Sequence, residues 1–442
     1  MSTRVSVIAW LLVTGVVGGY GTFRLTSKDQ TLYLPGRTSD GHYQIEMACE
    51  SCHTPFGGVA QDACTKCHGE ARTAADSHPE SKFLDPRNAD RLKAIDARKC
   101  VTCHTEHWPE GTHKGGATVA ADFCVKCHDN VGEERPSHAG MSFFTCSNAG
   151  CHNYHDNRAL WEDYLGKHLN EPEILAKAQV PLRTSMIGGP NGPKALTAKD
   201  QDAPPNVPVA AMLIAEWEQS AHARAGVNCT GCHGGTTGEH GKPWVDKPAL
   251  AACAMCHGEQ DKGFREGRHG MREAAGLEPM TPGQARLPMK HEAKDKKLGC
   301  NTCHGGHRHD AKQAAVDSCL GCHDDQHSKA YEGSSHFKLW QAELSGTAAK
   351  GTGVSCATCH IPREKREGGA PVLVQHDQND NLRPNEKMVR NVCTNCHGVG
   401  FSLDAMADAE LVQKNFQGRP TKHVASLEMV EKRMAGKKKG GR

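Results

Sequence analysis

Residues 49–68, CESCHTPFGGVAQDACTKCH, contain two copies of a Cys-x-x-Cys-His motif separated by a short spacer. The same motif recurs along the 442-residue chain, ten times with two residues between the cysteines and once with four. All 22 cysteines fall in these motifs, so none is left for disulfides. The ten regular copies are Cys49/Cys52/His53, Cys64/Cys67/His68, Cys100/Cys103/His104, Cys124/Cys127/His128, Cys229/Cys232/His233, Cys253/Cys256/His257, Cys300/Cys303/His304, Cys319/Cys322/His323, Cys356/Cys359/His360 and Cys393/Cys396/His397. The eleventh is Cys146-Ser-Asn-Ala-Gly-Cys151-His152.

This spacing is typical of covalent haem attachment. Two thiols so placed reach the two vinyl groups of one porphyrin, and the imidazole that follows ligates the iron. Zinc ribbons also use Cys-x-x-Cys, but they do not need a histidine after every second cysteine, and a disulfide framework imposes no such residue. The sequence therefore predicts eleven covalently attached haem c groups. For the Cys146 motif, the alternative of a plain loop cysteine pair stays open.

The composition predicts a mainly α fold with extensive loops and little or no sheet. Only 37% of the residues are hydrophobic and 5% aromatic, which is thin for a protein-only core of this length, and 47 residues are glycine. We therefore expect a multihaem cytochrome c array, in which short helices carry the motifs and the haems take the place of a layered core.

The charge balance argues against nucleic acid as a partner. The polypeptide has a formal charge of +2, and eleven haems with two propionates each would bring it near −20. Many of the 53 lysine and arginine side chains are therefore expected to pair with propionates.

The N-terminus predicts export. Residues 5–23 are uncharged and lie between Arg4 and Arg24, as in a signal anchor or a signal peptide. Because no Ala-x-Ala site follows, we favour a retained anchor in the inner membrane, with the haem region in the periplasm. Cleavage after the small-x-small stretch 19–21 is the alternative.

The motifs fall into two groups, which predicts the following domain organisation. Residues 1–24 are the signal segment, 25–180 a pentahaem domain, 181–208 a Pro/Gly-rich linker, 209–435 a hexahaem domain and 436–442 a basic tail. Helices are expected over 158–179, 209–225 and 403–434, the last broken near residues 418–420.

Seventeen of the 28 histidines lie outside the motifs, which is more than eleven distal positions require. This surplus favours bis-histidine over His/Met iron. His42 and His222 each lie seven residues before the motif that opens their group, and a pair such as His104 and His107 can serve two different haems. The predicted distal ligands are His42, His78, His107, His138, His155, His222, His269, His307, His336, His376 and His423. Reserves are His113, His168, His240, His291, His309 and His327.

Two resemblances follow from these motifs. Residues 42–168 resemble the class III multihaem cytochromes, in which closely set motifs and interspersed histidines build bis-histidine clusters. The second group resembles the later haems of the octahaem hydroxylamine oxidoreductase family, through Cys253-Ala-Met-Cys-His257, Phe264-Arg-Glu-Gly-Arg-His269, Cys300-Asn-Thr-Cys-His-Gly-Gly-His307, Tyr331-Glu-Gly-Ser-Ser-His336, Cys356-Ala-Thr-Cys-His360 and Val392-Cys-Thr-Asn-Cys-His-Gly398. That resemblance implies a mostly helical haem array and one haem with an open face.

The leading functional hypothesis is electron transfer between a quinol-linked membrane donor or small cytochrome and an acceptor outside the cytoplasm. The alternative is a reductase of nitrite, hydroxylamine or a sulfur oxyanion, with its open haem at Cys253/Cys256/His257 and with His291, Lys290 or Arg268 supplying protons and charge. The last tyrosine is Tyr331, so the C-terminal tyrosine cross-link of hydroxylamine-oxidising relatives has no counterpart here. Catalytic residues cannot be assigned, and assembly into oligomers is left open.

Overall fold

The computed structural model divides into two compact units. The N-terminal unit is Met1–Asn148 with Ala275–Leu277, and the C-terminal unit is Ala149–Ala274 with Glu278–Arg442. The structure describes residues 3–27, 30–55, 57–69, 78, 80–108, 118–120, 122–135, 138–144, 155, 162–182, 192–234, 243–382 and 386–440.

The chain begins with α1, Thr3–Thr26, none of whose residues is buried. It has 24 residues, and an 18-residue stretch within it has a mean hydropathy of 1.6, so within the described residues it is the one helix long and apolar enough to cross a membrane. A signal sequence meets the same criteria, so α1 is compatible with both expectations for the N-terminus.

The rest of the N-terminal unit consists of short helices and loops. A small antiparallel ladder pairs β1 (His53–Thr54) with β2 (Gly58–Val59) directly after the first motif, with His53 opposite Val59. The helices are α2 (Gln61–His68), α3 (Glu80–Leu84), α4 (Ala89–Ala94), α5 (Cys100–Cys103), α6 (Val125–His128) and α7 (Val131–Glu134).

The C-terminal unit has the same character, with one further two-residue ladder between β3 (Arg363–Glu364) and β4 (Leu373–Val374). Its helices are α8 (Glu162–His168), α9 (Ala211–Glu218), α10 (Ala221–Arg224), α11 (Cys229–His233), α12 (Leu250–Ala254), α13 (Gly258–Glu266), α14 (Met271–Ala274), α15 (Cys300–His304), α16 (Ala311–Ala315), α17 (Asp317–Leu320), α18 (Gln326–Ala330), α19 (Ser335–Leu344), α20 (Cys356–His360), α21 (Gln378–Leu382), α22 (Glu386–Asn391), α23 (Val399–Ala407), α24 (Ala409–Gln413) and α25 (Ala425–Gly440).

The helices α8, α22, α23 and α25 enclose a hydrophobic core. Its buried side chains come from all four helices, and Met406, Met429 and Met434 pack around them. The buried members are Leu165, Val389, Val399, Leu403, Leu427 and Val430. We call these six residues the C-terminal core. A smaller cluster joins Val316, Tyr331 and Trp340 beside Cys356.

The mainly α prediction is confirmed, since the two ladders are the only paired strands among the described residues. The helix expected over 158–179 is described from Glu162 and ends at His168, because in a continued helix the ring of Pro172 would clash with the His168 carbonyl. Residues 158–161 lie outside the described residues. The helix expected over 209–225 is divided into α9 and α10 at Ser220, whose side chain caps α10 by accepting from the Ala223 amide. The proposed domain boundaries stay a prediction.

Candidate haem-binding sites

Most motifs lie on a single helical turn, which places the two thiols and the imidazole on one side of the backbone. Helices α11, α15 and α20 each run from the first cysteine of a motif to its histidine. The motifs at Cys49 and Cys393 begin with a 3-10 turn instead. In α15, Gly305 ends the helix directly after His304 at φ 76°, a geometry that glycine adopts without strain. The Cys146–His152 motif lies outside the described residues.

Nine motif histidines each face a second imidazole across a gap. The ring centroids of each pair are 5.9–6.4 Å apart. An imidazole nitrogen bonds a transition metal at about 2 Å and the ring centroid lies roughly 1 Å behind it, so imidazoles on opposite sides of one metal have centroids about 6 Å apart. The pairs are His53–His107, His68–His42, His128–His78, His233–His307, His257–His222, His304–His376, His323–His269, His360–His327 and His397–His336.

These pairs fit a haem better than a metal held by protein alone. Within the described part of the chain, no group of three or more His, Cys, Asp or Glu side chains could hold a metal ion. Haem iron needs only two protein ligands because the porphyrin supplies the other four. Each gap also lies beside a pair of thiols, as covalent attachment requires.

The predicted distal histidines have different surroundings. Eight of the eleven lie opposite a motif histidine: His42, His78, His107, His222, His269, His307, His336 and His376. The imidazole opposite His360 belongs to His327, which was a reserve. His423 lies instead on the surface, with its two ring nitrogens 2.9 Å from Asp404 and 3.4 Å from Glu431.

The remaining predicted histidines have less defined roles. His138 lies in the turn after α7, and His78 rather than His138 faces His128. His155 is described and half-buried, but the residues on either side of it are outside the described part. The motif histidine His104 contacts the Thr118 hydroxyl at 3.3 Å. Among the reserves, His309 packs perpendicular to His222 at 4.4 Å and His168 bonds the Glu171 carboxylate, while His113 and His240 lie outside the described residues.

Backbone carbonyls fix the orientation of several opposed rings. The Nδ1 atoms of His107, His233, His376 and His397 lie 2.7–2.9 Å from the carbonyls of Gly36, Val245, Val374 and Glu173. A carbonyl can only accept, so each of these nitrogens carries the proton and leaves Nε2 free to bind a metal.

The segment that supplies the Glu173 carbonyl can approach His397 only because residue 398 is glycine. A Cβ on Gly398 would lie 2.6 Å from the Pro172 carbonyl oxygen, well inside contact distance. The same segment also forms an isolated bridge between Ile174 and His397. Gly398 therefore helps to hold the last motif histidine in place.

His42 differs, because its Nδ1 lies 2.8 Å from a carboxylate oxygen of Glu106. The other carboxylate oxygen accepts the backbone amide of Ser39 at 2.7 Å. Burial raises the pKa of Glu106, but the hydrogen bonds from His42 and Ser39 outweigh that effect and bring it to about 2. Glu106 is therefore ionised at neutral pH.

Burial keeps several of the opposed imidazoles neutral. Burial, together with the facing imidazoles, lowers the pKa of His269, His336 and His360 to about 4. A neutral ring has the free lone pair that binds a metal, so these sites need not lose a proton to accept iron.

Thiols of successive motifs lie beside one another in chain order. Cys64 is in hydrogen-bonding contact with Cys100, and burial together with that neighbour raises the pKa of Cys64 to about 11. Similar interactions join Cys52 with Cys67, Cys103 with Cys124 and Cys127, Cys232 with Cys253 and Cys256, Cys253 with Cys300, Cys303 with Cys319 and Cys322, Cys319 with Cys356, and Cys359 with Cys393 and Cys396. The described motifs therefore form one run of four in the N-terminal unit and one run of six in the C-terminal unit.

The residues expected around an open haem at Cys253 lie elsewhere. His222 faces His257, the histidine of this motif, with ring centroids 5.9 Å apart. The Lys290 amide donates to the Cys322 carbonyl, which places Lys290 and His291 next to the Cys319 motif. Arg268 bonds Asn379 at 3.0 Å, beside His269. This geometry lends no support to an open face at the Cys253 motif.

Comparison with known proteins agrees with this chemistry. The family model described as Cytochrome c3 matches residues 41–129, which contain the first four motifs. The match supports a multihaem c-type cytochrome with covalently bound haem c and a role in electron transfer. Curated protein sequences give no match to the chain. The resemblance of the second group to the octahaem family stays a prediction.

Proposed function

We propose that this chain is an undecahaem c-type cytochrome that transfers electrons outside the cytoplasm through a series of bis-histidine haems. The observation that carries the proposal is the set of nine opposed imidazole pairs, each belonging to a motif with two cysteines and each at the centroid separation expected for two imidazoles on one metal. When bound, each haem supplies a one-electron iron couple.

The chain's own residues hold and separate these groups. The paired cysteines would hold each porphyrin, the motif histidine and the imidazole opposite it would ligate its iron, and the carbonyl contacts orient the rings. Because the thiols of successive motifs interact, neighbouring haems would lie close together along each run. Short distances between haems are what electron transfer through a protein requires.

The N-terminal helix supports a location outside the cytoplasm for this activity. Helix α1 would hold the chain in the inner membrane, with the haem-bearing region in the periplasm. A quinol-linked membrane protein or a small cytochrome would then be the donor, and an extracytoplasmic redox protein the acceptor. Oligomerisation of the chain remains a separate hypothesis.

A haem count tests the cofactor content. A pyridine haemochrome assay on the purified protein should give eleven haems per chain, and Cys146→Ala with Cys151→Ala should reduce the count to ten. The same double change at Cys393 and Cys396 is the matched control and should also give ten. A wild-type count of ten, unchanged by the Cys146 variant, would show that the longer motif carries no haem.

Spectroscopy of the iron tests the axial ligands. If both axial positions are filled at every haem, EPR should show only low-spin iron and carbon monoxide should not bind. A high-spin, CO-reactive fraction equal to one haem would instead favour the reductase.

A pair of substitutions tests the choice between His327 and His423. His327→Met should raise the reduction potential of one haem, because His/Met iron has a higher potential than bis-histidine iron. His423→Met is the matched control and should leave every potential unchanged, since this side chain bonds two carboxylates. The opposite result would assign the ligand role to His423.

A further inference from the structure

We propose that Glu106 is a positioning residue that lowers the reduction potential of the haem attached at Cys64 and Cys67, by accepting a hydrogen bond from its distal ligand His42. The inference rests on the proposed function, because it requires His42 and His68 to ligate one iron.

The geometry fixes the carboxylate against the ring. His42 faces His68 with ring centroids 5.9 Å apart, and its Nδ1 lies 2.8 Å from Glu106 Oε1. Ser39 reaches both partners: its buried backbone amide donates to the other Glu106 oxygen at 2.7 Å, and its hydroxyl lies 3.2 Å from the same ring nitrogen. Glu106 is therefore held in place independently of His42.

Four other opposed rings have a neutral acceptor at this position. The Nδ1 atoms of His107, His233, His376 and His397 donate to neutral backbone carbonyls. Asp325 approaches the Nδ1 of His323, but 3.8 Å is too long for a hydrogen bond. The haem at Cys64 thus has an anionic acceptor where these four rings have a neutral one.

The charge acts on the iron in two ways. A carboxylate draws the Nδ1 proton more strongly than a carbonyl does, which makes Nε2 a more basic ligand. The negative charge also lies in a partly buried site, where it is screened less than in water. Ferric iron carries one more positive charge than ferrous iron, so both effects favour the oxidised state and oppose uptake of an electron.

The test compares three variants of the full-length protein with its haems attached. Glu106→Gln keeps the side-chain length and an acceptor oxygen but removes the charge. Glu46→Gln is the matched control. Glu46 accepts hydrogen bonds from the amide and hydroxyl of Thr38, the residue next to Ser39, and its carboxylate bonds no opposed ring in the described contacts. His42→Met identifies which component of a spectroelectrochemical titration belongs to this haem, since it should raise that component's potential.

We expect Glu106→Gln to move one haem's share of the absorbance change to higher potential. The reduction equilibrium should change about tenfold, which is 59 mV for a one-electron couple. The component that moves should be the one that His42→Met moves, Glu46→Gln should move none, and all variants should retain the wild-type haem count.

The possible failures are distinguishable. If His42→Met moves a component but Glu106→Gln moves none, or if Glu46→Gln moves the same one, the inference is wrong and the bis-histidine assignment stands. If His42→Met moves no component, or if the wild-type protein lacks the haem at Cys64, the proposed ligation fails and the inference fails with it.

Discussion

The two units bury different kinds of side chain. In the C-terminal unit, α8, α22, α23 and α25 bring six large aliphatic residues together in the C-terminal core. In the described residues of the N-terminal unit, the buried side chains are Ala48 and the polar Thr38, Ser39, Gln44 and Thr118. Burial of these aliphatic side chains would stabilise the C-terminal unit without help from haem. The N-terminal unit, with four motifs in a short stretch of chain, is expected to depend on its haems for the apolar interior that its described side chains do not provide.

The largest expected effect is that of removing the haems. A chain produced without haem attachment should lose amide protection throughout α2 to α7, because little apolar protein surface remains buried there. The amides of α23 and of α25 up to Glu431 should keep measurable protection, since the C-terminal core is made of side chains alone. Hydrogen exchange with mass spectrometry measures both regions in one sample. Equal loss in the two would show that the C-terminal core also needs haem.

A substitution in the C-terminal core should have the next largest effect. Leu427 is 2% exposed, and Leu427→Ala should reduce the free energy of unfolding by about 2–5 kcal/mol, through lost burial and the cavity left behind. Leu339, on the exposed side of α19 at 43%, is the matched control, and its change to alanine should cost less than about 0.5 kcal/mol. Urea unfolding of the holoprotein gives both values, and similar losses would refute a protein-only core here.

A smaller, pH-dependent effect should come from His423, at the edge of the C-terminal core. Its hydrogen bond to Asp404, with help from Glu431, raises the pKa of His423 above 6.5. The bond therefore contributes fully below about pH 6.5 and its contribution is lost as the pH rises through the folded pKa. His423→Gln should destabilise the protein at pH 5.5 and have little effect at pH 8.5, with urea unfolding as the measurement. A pH-independent loss accompanied by a changed haem spectrum would indicate an iron ligand.

The smallest effect should come from the exposed ion pair between Arg366 and Glu259. The side chains are 37% and 53% exposed and their closest atoms are 2.6 Å apart. Solvent and salt screen such a pair, so Arg366→Gln should cost about 0–1 kcal/mol. The measurement is urea unfolding in low and high salt. A larger loss of unfolding free energy would mean that this ion pair stabilises the C-terminal unit as much as a buried residue of the C-terminal core does.

The sequence can predict the motif itself, because its residues are neighbours along the chain. A cysteine pair and its histidine occupy one helical turn in α11, α15 and α20. The three-residue spacing of His104 and His107 predicts that the two rings can serve different haems, and His107 faces His53, which belongs to a different motif.

The sequence does not distinguish His327 from His423, because their difference arises from tertiary contacts. His327 Nδ1 lies 2.5 Å from the Val412 carbonyl, a residue far along the chain in α24, and this contact directs its ring toward His360. His423 is surrounded by carboxylates from α23 and α25. Neither environment can be read from the residues next to each histidine. The contact of Glu106 with His42 joins segments 64 positions apart and is equally hidden in the sequence.

The contacts between first cysteines also bear on biogenesis. Cys64 with Cys100, Cys253 with Cys300, and Cys319 with Cys356 are in hydrogen-bonding contact, and each pair belongs to two different motifs. In an oxidising compartment, such pairs would be positioned to close into disulfides, and each closure would remove an attachment point from two haems at once. An exported chain of this kind would thus need a reductant that keeps its thiols free until the porphyrins arrive.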